Sequence, residues 1–254
     1  MDQLNQLTRH LEFVSAKAWP AEEYRELDGW TIRATKGITW RANSVYPHSP
    51  LEDYTLENAI QEVIEFYNQR NIPPAFKLTQ FSYPKNLDQA LDEYGFKKEM
   101  ETYVQTTPIS SNYDRNGKFS VQLSNKIEQD WILAYKRLGD FNDFTLTQRL
   151  GIIKRIESST AFASVRAGGE IVGIGMGVCD YDMLGLFGIV TDPKHRGKGI
   201  GTSINEVLLD WGRLNGARVS YLQVEKRNEP ALSLYSKCGF RTVYDYWYRI
   251  LRSS

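Results

Sequence analysis

Cysteine is nearly absent from this chain of 254 residues, which holds only Cys179 and Cys238. Two thiols make no disulfide framework, and neither has the CxxC or Cys/His company of a metal site. Histidine is as scarce: His10, His48 and His195 are scattered, so no metal is expected. An excess of one charge is missing as well, since 31 Lys and Arg face 31 Asp and Glu. That balance argues against a general affinity for nucleic acid. No apolar run approaches membrane-spanning length, and Met1-Asp2-Gln3-Leu4-Asn5 lacks the apolar core of a signal peptide. A cytoplasmic protein without membrane or nucleic-acid partners is expected. What is present, 41% hydrophobic and 24% charged residues, suits one large or two small cores.

The most informative stretch is Gly188-Ile189-Val190-Thr191-Asp192-Pro193-Lys194-His195-Arg196-Gly197-Lys198-Gly199-Ile200-Gly201-Thr202. An apolar run, Met183 to Val190, reads as a buried strand before it, and Ile200, Ile204, Val207, Leu208 and Trp211 recur at helical spacing after it. A glycine-rich loop at a helix start presents unpaired N–H groups to an anion, where the helix dipole adds to the attraction. The spacing is neither that of a Walker A loop nor that of a dinucleotide fingerprint. Arg196-Gly197-Lys198-Gly199-Ile200-Gly201 resembles the [Q/R]-x-x-G-x-[G/A] signature of GNAT acetyltransferases. Asn228-Glu229-Pro230-Ala231-Leu232-Ser233-Leu234-Tyr235-Ser236-Lys237-Cys238-Gly239-Phe240 resembles that family's second signature. The resemblance covers about residues 118 to 251. It implies acetyl-CoA as cofactor and a mixed, mostly antiparallel α/β (α+β) sheet flanked by helices.

Along the chain, residues 4–19 read as a helix, and 30–34 with 38–45 as a hairpin of alternating polarity. A helix over 56–67, a strand near 75–80, a helix near 86–94 and a strand near 98–107 follow. Leu91-Asp92-Glu93-Tyr94-Gly95-Phe96 echoes the segment around Gly239-Phe240, a weak internal repeat. Between Val45 and Leu56, where a repeat would carry its phosphate loop, there is no glycine. We therefore expect a degenerate GNAT-like half over 1–110 that does not bind coenzyme A. A polar linker over 111–117 and a transferase domain over 118–254 follow. The segments around Trp30 and Asn43 also resemble a bacterial group of tandem GNAT proteins. In Ile171–Cys179 glycines hold 173, 175 and 177, leaving one strand face bare for a packed helix or for a groove floor. With no clear strand after 251, one from the N-terminal half is expected to complete the sheet.

The resemblance assigns cofactor binding to Gly188, Ile189, Val190, Lys194, His195, Arg196, Gly197, Lys198, Gly199, Ile200, Gly201, Thr202, Asn228, Ala231, Leu234, Tyr235 and Lys237. Ile189 and Val190 would pair with the pantetheine arm through their backbone. Tyr235 is the expected general acid, because a phenol with pKa about 10 stays protonated at neutral pH. Where relatives acting on protein N-termini carry a glutamate, this chain has Gln223. Glu225, two residues on and on the same strand face, is the expected base, with Asp180 and Asp182 as alternatives. Cys238 reads as core and not as a nucleophile. The expected activity is acetyl transfer to a small primary amine by a monomer or homodimer. A non-catalytic acyl-CoA sensor and a protein N-acetyltransferase are the alternatives.

Overall fold

The computed structural model describes residues 3–109 and 117–252. Its helices are α1 (Gln3–Ala18), α2 (Leu56–Asn68), α3 (Leu87–Glu93), α4 (Gln129–Leu138), α5 (Asp143–Lys154), α6 (Ile200–Leu214) and α7 (Glu229–Lys237). The first strands are β1 (Glu23–Leu27), β2 (Trp30–Ala34), β3 (Tyr46–Pro47), β4 (Ala75–Thr79), β5 (Lys97–Pro108) and β6 (Gln122–Ser124). They are followed by β7 (Ser159–Ala167), β8 (Glu170–Asp180), β9 (Met183–Thr191), β10 (Val219–Glu225) and β11 (Arg241–Ile250). Two compact units result, one of Met1–Val104, Gln148–Arg155 and Val243–Ser254, the other of Gln105–Thr147 and Ile156–Thr242. Residues 111–116 of the expected linker lie outside the described residues. No helix among the described residues is long and apolar enough to cross a membrane.

The first unit opens with α1, which buries Leu11, Val14 and Ala18 at helical spacing. Positive φ at Asp28 and Gly29 makes the tight turn of a β1–β2 hairpin running from Glu23↔Ala34 to Leu27↔Trp30. The expected pairing of 30–34 with 38–45 is therefore corrected. Asn43 closes that stretch into a loop instead, accepting from the N–H groups of Thr35 and Gly37 and donating to the carbonyls of Thr35, Ile38 and Thr39. The strand expected from the N-terminal half is β4, which pairs antiparallel with β11 from Ala75↔Ile250 to Thr79↔Tyr246. Trp30, Ile32, Ile60, Tyr67, Phe76 and Phe96 form its core, with Trp30 edge-on to Phe76.

The second unit carries the strand order β10-β9-β8-β7-β6, parallel between β10 and β9 and antiparallel elsewhere. Helix α6 packs on the bare face of β8. A Cβ on Gly173 would stand 2.4 Å from Ile200 Cγ2, and one on Gly175 would stand 2.7 Å from Ile204 Cγ2. The glycines are there for close packing of a helix. The internal echo is also geometric: α3 ends on Gly95 (φ +88) and α7 on Gly239 (φ +85), each followed by a buried phenylalanine and a strand. In both, the phenylalanine N–H reaches back into the last helical turn, Phe96 to Leu91 and Phe240 to Tyr235.

Candidate active site

Strands β9 and β10 lie parallel from Met183↔Val219 to Gly185↔Tyr221, after which β9 continues to Thr191 and β10 to Glu225. On its other side β9 pairs with β8, but the register shifts: Ile174 faces Val190 while Met176 faces Phe187. Gly188 and Ile189 together oppose Gly175, a bulge that Gly188 accommodates with φ +57. The bulge re-aims the end of β9 where it enters the glycine-rich loop.

That loop is braced at its start. Asp192 caps the short turn Pro193–His195, accepting from Lys194 N–H at 2.9 Å, and pairs with Arg137 of α4 at 2.9 Å. The backbone N–H first, then Arg137, hold the Asp192 carboxyl below the usual carboxylate range. Arg137 also donates to the carbonyl of Ile171 on β8 at 2.6 Å. Farther along, Gly197 (φ +76) and Gly199 (φ +98) take conformations that disfavour any side chain. A Cβ built on either would meet nothing within 4 Å, so open space lies over the loop. The N–H groups from Gly197 to Thr202 find no backbone acceptor among the described residues. They surround the N-terminus of α6, where the helix dipole favours an anion.

Facing the loop is α7. Asn228 caps it by accepting from Ala231 N–H, and Pro230 fills a first-turn position whose N–H is not needed. Tyr235 lies on this helix with its ring edge-on to Phe240, 5.9 Å between centroids. Between β9, the loop and α7 runs a groove of about 490 Å³. Of the expected residues, Ile189, Val190, His195, Arg196, Gly197, Gly199, Ile200, Gly201, Thr202, Asn228, Ala231, Leu234, Tyr235 and Lys237 line it. Thr191, Pro230 and Ser233 complete the wall, and no lining residue is acidic.

Gly188, Lys194, Lys198 and Glu225 stand outside that wall. Glu225 ends β10 with its carboxylate bound by Arg227 at 2.6 Å. Asp180 and Asp182 lie at the opposite end of β9, roughly 20 Å of strand away at the usual rise per residue. Asp192, Arg137 and Ser233 were not singled out from sequence. The Asp-Pro pair before the loop was the only local signal for the first, and Arg137 is 55 residues away from it.

A family model described as "Probable histone acetyltransferase Rv0428c C-terminal" matches residues 7–249. The chain is a GNAT-family N-acetyltransferase. It is similar to "Uncharacterized N-acetyltransferase YobR" of Bacillus subtilis, 32% identical over 249 residues, covering 96% of this chain and 98% of that protein. It is also similar to "Probable histone acetyltransferase Rv0428c" of Mycobacterium tuberculosis, 27% identical over 92% of this chain and 70% of the relative. Among solved structures, a GCN5-related N-acetyltransferase from Kribbella flavida superposes with TM-score 0.71 at 12% identity, over 100% of this chain and 97% of that one. A tandem GNAT protein from the clavulanic acid biosynthesis pathway superposes with TM-score 0.57 at 11% identity, over 78% of this chain and 70% of that one. These two likenesses concern the fold.

Proposed function

We propose that this GNAT acetyltransferase moves an acetyl group from acetyl-CoA directly to the primary amine of a small molecule, with the cofactor held by the β9–loop–α7 groove. The observation that carries the reading is the row of N–H groups from Gly197 to Thr202 without a backbone acceptor among the described residues, at a helix start and with open space over Gly197 and Gly199. Such a cradle fits a pyrophosphate, and Arg196 and Lys237 add positive charge along the same wall. The bulged end of β9, at Ile189 and Val190, would receive the pantetheine arm as an added strand. When bound, acetyl-CoA supplies the acetyl group as an activated thioester.

The chain's own part is to position the reactants and to manage protons. Tyr235, in the groove wall, donates from its phenolic oxygen to the departing sulfur. Direct transfer is favoured by the state of the two thiols. Burial pushes Cys238 up to about 11 and raises Cys179 as well, so neither is a thiolate nucleophile at neutral pH. Glu225, held by Arg227 outside the groove wall, acts as base through water. A small acceptor is favoured by Gln223, which stands where relatives that acetylate protein N-termini carry a glutamate.

Calorimetric titration of acetyl-CoA into wild type and Gly199→Glu, followed by a screen of amines and N-terminal peptides for thiol release, tests this. We expect micromolar binding that Gly199→Glu abolishes, and turnover with amines. Peptide turnover alone overturns the small-molecule reading, and absence of binding by folded wild type overturns the cofactor site.

A further inference from the structure

The first unit contains a separate cavity of about 450 Å³ between α1 and the β2–β3 ribbon. Its charged residues are unequally satisfied. Glu12, 2% exposed, is the one buried carboxylate in the wall. Both of its oxygens accept from Lys77 Nζ, at 2.7 and 2.5 Å, and one also accepts from the Tyr244 hydroxyl at 2.7 Å. Its charge is matched by Lys77.

Arg33 stands in the same wall, 5% exposed, and its guanidinium donates only to the carbonyl and hydroxyl of Ser44. Arg9, half-buried beside it in the lining, donates only to the amide oxygen of Asn5. Neither arginine has a carboxylate partner among the described residues. The other lining carboxylate, Glu26, lies at the exposed rim, where it accepts from Thr31. Buried cations without counter-charge are costly to a fold unless something compensates them. The cavity is therefore short of an anion. Two exposed aromatic rings also belong to its lining, Phe13 at 54% and Tyr24 at 50%.

We propose that this cavity is a second ligand site that takes a small aromatic monocarboxylate, its carboxylate on Arg33 and Arg9 and its ring against Phe13 and Tyr24. The inference rests on residues of the first unit and stands apart from the assignment of the cofactor groove. The N–H groups that precede α2, where a repeated phosphate loop would fall, are already occupied. Glu52, Asp53 and Tyr54 all donate to one oxygen of Asp28, at 2.8, 2.9 and 3.0 Å. A nucleotide phosphate thus has no cradle there, whereas the arginine pair remains open.

Calorimetry on the full chain, with phenylacetate, phenylacetamide and inorganic phosphate as probes, tests the proposal. Phenylacetate is expected to bind saturably at one site. The amide, which keeps the ring but not the charge, is expected to bind at least about tenfold more weakly, as is phosphate, which keeps the charge but not the ring. Arg33→Met and Arg9→Met should each weaken phenylacetate about tenfold. Arg9→Met alters a half-buried side chain and serves if Arg33→Met does not fold. Gly199→Glu, which closes the groove in the other unit, should leave phenylacetate binding unchanged. The proposal is overturned if folded wild type does not bind, if the amide or phosphate binds as well as phenylacetate, or if binding is lost in Gly199→Glu and kept in Arg9→Met.

Discussion

At the residue scale the transferase reading turns on Tyr235 and Glu225, which the structure treats differently. Tyr235 belongs to the groove wall, so Tyr235→Phe should leave the cofactor affinity unchanged and lower kcat by about a hundredfold or more, the usual worth of a general acid. A steady-state assay that finds kcat intact would make Tyr235 merely structural. Glu225 is engaged by Arg227 and stands outside the wall, working only through water, so Glu225→Gln should lower kcat by less than Tyr235→Phe does. A loss as large as that of Tyr235→Phe would show that Glu225 takes the proton itself. Tyr235 is legible in the sequence as a member of the contiguous second signature, and Glu225 only by its strand position two residues beyond Gln223. The ion pair that distinguishes them is not legible, because side-chain partners depend on rotamers that spacing does not specify.

At the scale of elements, α6 on β8 decides how precisely the loop is held. Ile200 is both the first residue of α6 and the side chain that fills the space above Gly173. Gly173→Ala would place a methyl 2.4 Å from Ile200 Cγ2, the methyl of a β-branched side chain whose χ1 is stiff. We expect a loss of about 1–3 kcal/mol, typical of overpacking, in urea denaturation. Because Ile200 abuts the loop, acetyl-CoA affinity should fall with it. Unchanged affinity would mean that the loop is held by Asp192 and Arg137 alone. The sequence had left the bare face of β8 open between helix packing and a groove floor. Alternation identifies a face without saying what covers it.

At the scale of the whole molecule, the buried cluster of Glu12, Lys77 and Tyr244 joins α1, β4 and β11 across 65 and 232 residues of chain. Desolvation pushes the Lys77 ammonium down to about 8, and Glu12 only partly restores it. Between that value and the ordinary lysine pKa the unfolded chain holds more protons than the native one, so stability must rise with pH in this window. Above about pH 10 the sign reverses. Burial raises Tyr46, Tyr67, Tyr244, Tyr246 and Tyr248 in the fold, and ionising them favours the unfolded chain. Denaturation across pH should therefore show stability climbing by about 2 kcal/mol from pH 8 to 10 and then falling. The double variant Glu12→Leu/Lys77→Met should lose the climb and keep the fall. Lys77→Met alone should cost about 3–5 kcal/mol, since it strands a buried carboxylate.

The amino-acid order by itself determined the loop, its glycines, the capped α7 and the helix–glycine–phenylalanine turns. Each of these closes hydrogen bonds over a few residues, so composition and spacing suffice to specify them. Tertiary structure alone decided the rest. Glu23-Tyr24-Arg25-Glu26-Leu27 has no apolar alternation to mark a strand, yet it becomes β1 because β2 offers it a ladder. The stretch from Ile38 to Val45 alternates like a strand, yet Asn43 draws it into a loop. The arginine cavity and the Lys77 cluster appear only when distant segments meet. Their charge balance is a property of three-dimensional neighbours, which linear spacing does not encode.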